Sequence, residues 1–203
     1  MLSTGAVNPA MEFFWNIDRI VFHFCNHDLE NKLFDAVLPV VTDLNKHWYG
    51  LWLAAILWLL LLLRAGTPGR LAALLLIPTI AFSDQLNSYF LKYLIVRPRP
   101  CHVLPDVHLL VGCGSGYSFP SSHAVNTFAA ALVLAYFLPR GTWAFFSFAV
   151  IVAFSRVYVG VHYPSDVLGG SIIGLTCGAL VILLFRIIEQ WWVGRKPEEK
   201  GSS

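Results

Sequence analysis

A chain of 203 residues that is 57% hydrophobic and only 13% charged, with a mean hydropathy of +0.64, cannot be an ordinary soluble domain, where charged residues make up about 25%. A formal net charge of +2 and the lack of any basic run exclude the electrostatic grip of a nucleic-acid-binding protein. The composition is that of a polytopic membrane protein, long enough for one helical bundle and no separate soluble domain.

In chain order, Met1 to Ala10 lacks the charged start and apolar core of a cleavable signal peptide. From Met11 to Cys25, large apolar groups (Phe13, Phe14, Trp15, Ile17, Ile20) alternate with Asn16, Asp18, Arg19 and His23. That pattern predicts a helix lying in the membrane interface, too short and polar to span. Leu33 to Val41, with Pro39, is a second short stretch, interfacial or tucked beneath the bundle. Five spans follow at about 48–63, 71–94, 122–138, 142–158 and 167–188, each near the ~20 residues a bilayer demands once tilt is allowed for. Trp48 and Tyr49 mark one interface, Trp191 and Trp192 the other. The expected fold is all-α: an interfacial segment over 1–46, a bundle of about five or six transmembrane helices over 47–190, and a cytoplasmic tail over 191–203.

The polar residues gather at one end of these spans. Lys92 and Arg99-Pro100 close the second; Pro120-Ser121-Ser122-His123 opens the third; Ser155-Arg156 ends the fourth, with His162 and Asp166 just beyond. Ionisable groups at membrane depth are costly unless something uses them. Three permanent cations, two histidines and one carboxylate suit an anion, most simply a phosphate. Lys92 and Arg99 can reach one anion, the alternative being a snorkelling cation pair. Ser121, Ser122 and His123 fall at a helix amino terminus, where free N–H groups favour an anion, while Ser121 could cap the helix as well. The fork of Arg156 matches two phosphate oxygens. Asp166, four residues after His162, can fix the imidazole tautomer or serve only as a charge on the helix dipole.

These motifs resemble the three-part signature of the type 2 phosphatidic acid phosphatase superfamily of integral membrane lipid phosphatases. They cover about Lys92 to Asp166. Ser122 stands where the family usually has Gly, and five spans are read where the family often has six. The resemblance implies phosphate binding by Lys92, Arg99, Ser121, Ser122 and Arg156. It makes His162 the nucleophile of a phosphohistidine intermediate, His123 the general acid and Asp166 the partner of His162. No metal or other cofactor is required. Arg97 lies outside the motif and is expected to face headgroups, so that its loss leaves most activity. Ser155 and Gly160 are expected to serve packing and loop geometry. Asp84, Asn87 and Ser88, which can share a face with Lys92, are expected to support the site from behind or to bond a neighbouring helix. His102, Asp106 and His108 lack the spacing of a strong zinc motif.

Counting basic residues places Arg64, Arg70, Arg140, Arg186, Arg195, Lys196 and Lys200 opposite the motifs, so the motif face should point out of the cytoplasm at the cell membrane. Cys101 and Cys113 bracket the long loop there and could pair or remain thiols; Cys25 and Cys177 read as apolar fillers. The substrate expected is a membrane lipid phosphate, with no nucleic-acid partner. The outward-facing site and short chain resemble the bacterial enzymes that convert undecaprenyl diphosphate to undecaprenyl phosphate. Phosphatidylglycerol phosphate, phosphatidic acid and lipid A fit the same chemistry. A headgroup-binding transporter or scramblase is the reading from another class; it would need polar residues lining a path through the bundle.

Overall fold

The structure is a computed structural model that describes residues 9–193. The expectation about a signal peptide and most of the expected tail, with Arg195, Lys196 and Lys200, lie outside the described residues. The described residues hold helices and no strand: α1 (Pro9–His23), α2 (Lys32–Thr42), α3 (Trp48–Arg64), α4 (Gly66–Leu94), α5 (Ser122–Phe137), α6 (Thr142–Tyr158) and α7 (Pro164–Val193), with short turns of helix between.

Three stretches, Gly66–Leu94, Pro139–Tyr158 and Pro164–Trp192, are long and apolar enough to cross a membrane; α3 and α5 are shorter apolar helices. Large side chains such as Trp52, Ile56, Ile77, Leu168 and Ile172 point outward, while many interior positions are small: Ala72, Ala73, Ala124, Ala129, Ala131 and Ala149, beside a few large ones such as Phe22 and Tyr158. This inversion of a water-soluble core is what a hydrocarbon surround selects, because there helices associate through close packing and not through hydrophobic expulsion.

α5 and α7 approach each other closely. A Cβ added at Gly170, Gly174 or Gly178 would stand 2.9, 2.3 and 2.9 Å from the carbonyl oxygens of Ser121, Val125 and Ala129. Repeated every four residues, these glycines line one face of α7 and let the start of α5, with Ser121 to His123, lie directly against the start of α7, with Asp166. The backbone N–H of Ser121 donates to the carbonyl of Asp166 at 3.1 Å. Two motifs far apart in sequence are thereby fastened together.

Within α4 the regular ladder gives way to a π-helical turn over Leu86–Leu91. Such a turn inserts about one residue into the register and so rotates the succeeding residues by about 100°. Lys92 comes directly after it, aimed by a distortion that hydrophobic spacing does not reveal. The loop after α4 is pinched at its base, where the N–H of Ser118 donates to the carbonyl of Arg97 at 2.8 Å. A disulfide joins Cys101 to Cys113 further out, deciding between the two alternatives left by the sequence. Gly160, at φ +85° with Val107 Cγ1 2.5 Å from where a Cβ would be, makes the turn that leads from α6 to His162.

Both amino-terminal helices are present as structure. α1 exposes Phe13, Phe14 and Ile20 while burying Asp18 and Phe22, so its apolar face is mostly outward and its one buried carboxylate is inward. α2 begins at Asn31, whose side chain accepts from the N–H of Phe34 at 2.9 Å as an N-cap. It packs Leu38 and Phe34 on Tyr158 and Phe154 of α6.

Candidate active site

His162 and Asp166 form the centre. One turn apart, they place Nδ1 of the imidazole 3.5 Å from Oδ2 of the carboxylate; His162 is 2% exposed and Asp166 fully buried. The same Oδ2 accepts from the N–H of Tyr163 at 2.8 Å and from the hydroxyl of Ser118, whose Oγ also lies 3.4 Å from Nδ1 of His162. With Nδ1 engaged from behind, Nε2 is the nitrogen left for chemistry. Burial depresses the proton affinity of His162 to about 4; the Asp166 carboxylate opposes this, and Arg99 and Arg156 reinforce it. At neutral pH the ring is therefore a free base.

The cations converge on this pair. Lys92 lies within the electrostatic reach of Arg99, Arg156 and Asp166, and His123 within that of Arg156, His162 and Lys92. Arg99 is 8% exposed, and its Nε donates to the carbonyl of Gly116 at 2.9 Å, so the far arm of the loop sets its guanidinium. Arg156 is 4% exposed; its Nη1 donates to Thr42 Oγ1 at 2.7 Å and pairs with Asp43 Oδ1 at 3.6 Å. That the end of α2 holds Arg156 has no signal in the sequence, because a Thr-Asp pair at a helix terminus reads as capping.

Ser121 does not cap α5: its side chain makes no capping bond. Its Oγ, with Nε2 of His123 and Nε of Arg156, is buried without a hydrogen-bond partner. Polar atoms left in this condition cost about 1–3 kcal/mol each; Asp43 Oδ1, Asn87 Oδ1 and Arg97 Nε share it, and the three on Ser121, His123 and Arg156 are of types suited to the oxygens of an anion. Ser122 differs from Ser121, since its Oγ accepts from Nδ2 of Asn87 at 2.7 Å. Further along the same helices, Ser83 donates to Asn126 Oδ1 at 2.7 Å and Asn126 donates to Asp84 Oδ1 at 3.0 Å. The intramembrane polar groups of α4 thus bond across to α5, as expected, and are spent on each other.

Arg97 corrects the sequence reading. It faces no headgroup: it is 7% exposed, donates to Asp166 Oδ1 at 2.6 Å, and pairs with Asp18 of α1. Asp18 is equally inconspicuous in the sequence, as one polar residue on an interfacial helix. His108 turns to Asp35 and Glu30, at 3.1 and 3.7 Å, and belongs to the packing of α2.

Residues 70–189 match the PAP2 superfamily, and the chain is a member of it: a lipid phosphoester hydrolase. It is 32% identical over 173 residues to a lipid A 4'-phosphatase of Bacteroides thetaiotaomicron, covering 81% of this chain and 75% of the other. It is 28% identical to the undecaprenyl-diphosphatase BcrC of Bacillus subtilis, covering 74% of each. The crystal structure of a PAP2-type phosphatidylglycerolphosphate phosphatase from Bacillus subtilis superposes with a TM-score of 0.66 at 28% identity, covering 89% of each chain.

Proposed function

We propose that the chain is an integral membrane phosphatase that converts undecaprenyl diphosphate to undecaprenyl phosphate through a phosphohistidine on His162. The observation that carries this reading is the set of unpartnered buried atoms of Ser121, His123 and Arg156 together with the buried His162–Asp166 pair. Lys92, Arg99, Arg156, Ser121 and Ser122 would hold the equatorial oxygens of the terminal phosphate and neutralise charge as it moves in the transition state. Nε2 of His162 attacks phosphorus as the bond to the leaving oxygen breaks, and His123 delivers a proton to that oxygen. Water then attacks the phosphohistidine, His123 taking its proton, and inorganic phosphate leaves. The side-chain cations supply the charge stabilisation that a metal supplies elsewhere.

The five apolar helices α3 to α7 are read as the membrane crossings of a bundle over 47–190, with 1–46 at the interface and 191–203 as the cytoplasmic tail. Arg64 and Arg140 fall at helix ends opposite the site, and Arg70 and Arg186 lie within about two turns of such ends, which supports a cell-membrane enzyme whose site faces out of the cytoplasm. Ser83, Asp84 and Asn87 of α4 are bonded to Asn126 and Ser122 of α5, which favours a role in helix contact over transport. Phosphatidylglycerol phosphate, phosphatidic acid and lipid A share the required phosphate chemistry, and the relatives' names span two of them. The test is phosphate release in detergent with excess chelator from these four lipids, alongside His162→Ala. Fastest release from undecaprenyl diphosphate, lost in the variant, is expected. A faster rate on another lipid reassigns the substrate, and release that survives the variant overturns the mechanism.

A further inference from the structure

Asp166 has two oxygens with separate duties. Oδ2 faces His162, Ser118 and the backbone of Tyr163, whereas Oδ1 takes a hydrogen bond from Nη1 of Arg97 at 2.6 Å. Arg97 is held through both of its Nη atoms, while its Nε is buried without a hydrogen-bond partner. Its Nη1 also donates to Ser165 Oγ at 2.6 Å, its Nη2 pairs with Asp18 Oδ2, and its Cζ lies 4.3 and 3.9 Å from the ring centroids of Trp15 and Tyr163, which meet each other edge to face. Asp18 is fastened in turn: its Oδ1 accepts from the N–H of Ser165 at 2.9 Å and its Oδ2 from the Ser165 hydroxyl at 2.6 Å. Arg97, Asp18 and Asp166 are 7, 8 and 0% exposed.

A buried carboxylate–guanidinium–carboxylate chain is strongly disfavoured if one member is removed, since the others are left uncompensated. Two carboxylates share one guanidinium, so the triad as a whole keeps one negative charge. A snorkelling or headgroup-binding arginine needs none of this. Trp15 and Asp18, which confine Arg97, both belong to α1, the helix that exposes Phe13, Phe14 and Ile20 outward.

We propose that Arg97 is a positioning residue for the hydrolysis: clamped by Trp15 and Asp18 of α1, it fixes the Asp166 carboxylate so that only Oδ2 addresses His162, making α1 a working part of the active site. This rests on His162 being the nucleophile. Arg97 acts through Asp166 and does not touch the substrate, so its loss should lower kcat more than it raises KM. It should also move the pH at which the nucleophile gains a proton. The charged and titratable groups around His162 are Asp166 from α7, Arg99 from the long loop, Arg156 from α6 and His123 from α5. Arg97→Gln removes a cation behind Asp166 and strengthens the negative field at His162, so the acid limb of the activity profile should rise in pH. Asp18→Asn keeps an acceptor for Arg97 but removes the opposing charge, so the limb should fall.

The experiment uses the full chain in detergent with undecaprenyl diphosphate and chelator. It measures kcat, KM and the pH profile of kcat/KM for wild type, Arg97→Gln, Arg97→Lys, Asp18→Asn and His162→Ala, with thermal unfolding of each. The expected result is a kcat loss on the order of 10- to 100-fold in Arg97→Gln, the range for partners that orient a histidine from behind. KM should change less than kcat, the acid limb should move oppositely in Arg97→Gln and Asp18→Asn, and Arg97→Lys should restore the limb in part. Should His162→Ala keep wild-type release, the nucleophile reading falls, and this inference with it. If His162→Ala is inactive but the acid limb stays fixed in Arg97→Gln, Arg97→Lys and Asp18→Asn, with losses that only track unfolding, Arg97 is structural and the inference alone is overturned.

Discussion

Asn87, fully buried in the π-helical turn of α4, donates through Nδ2 to Oγ of Ser122 at 2.7 Å. Because Ser122 accepts that bond, its own proton is free to be given to an anion. The side chain that replaces the family's usual Gly is thus oriented by a residue from another helix. Asn87→Ala should destabilise the protein by about 1–2 kcal/mol by leaving the hydroxyl unsupported, and Ser122→Gly should make a second change at Asn87 less costly. A double-mutant cycle on unfolding would show coupling on the order of 1 kcal/mol; additive effects would mean that the two do not work as a pair.

The α5–α7 contact sets the distance between Ser121 and Asp166. Gly174→Ala places a methyl 2.3 Å from the Val125 carbonyl oxygen, so the helices must part. A loss of about 2 kcal/mol or more is expected, within the range for overpacking, and activity should fall further than the same change at Gly112, where an added Cβ meets nothing within 4 Å. Thermal unfolding and phosphate release of the two variants check this.

The Cys101–Cys113 disulfide closes part of the loop that carries Arg99 and Gly116, with a sequence separation of 12. A closed loop of this size stabilises by about 2–3 kcal/mol in the chain-entropy account. Replacing both cysteines by Ser should lower the unfolding temperature and, by loosening Arg99, raise KM more than it lowers kcat. Steady-state kinetics with and without reductant measure both.

The acid limb of the pH dependence is set by His162; the general acid His123 must carry its proton and so governs the basic side. The folded proton affinity of His162, depressed by burial to about 4, lies below the ordinary value of 6.5. The nucleophile is therefore neutral above about pH 4, and kcat/KM, which reports the free enzyme, should fall only as the pH drops through that value. In stability, the unfolded chain takes up this proton first. The contribution of His162 is complete above 6.5 and lost as the pH falls towards 4. A limb near 6.5 would mean that the ring is hydrated in the working enzyme.

Most of the bundle was legible because apolar runs of membrane length admit few other structures, and α3 to α7 begin and end within about five residues of the expected positions. The proposed site residues Lys92, Arg99, Ser121, Ser122, His123, Arg156, His162 and Asp166 could be named from the sequence because they fall in three motifs at fixed spacing. What was hidden depends on contacts between distant segments. Arg97 looked like a spare cation because its partners Asp18 and Trp15 lie about eighty residues earlier. Thr42 and Asp43 held no hint of Arg156, and the register shift at Leu86–Leu91 leaves no mark on hydropathy. Gly170, Gly174 and Gly178 carried a readable four-residue repeat, whose meaning as a helix contact could have been drawn from spacing alone.

The central claim is covalent catalysis by His162. Its most direct measurement is a rapid acid-free quench of the chain turning over undecaprenyl diphosphate labelled with radioactive phosphorus at the terminal phosphate, with peptide mapping of the quenched protein. The account predicts label on the peptide containing His162, stable to base and released by acid, and absent in His162→Ala. Turnover with no protein-bound label, or label on another residue, would contradict it.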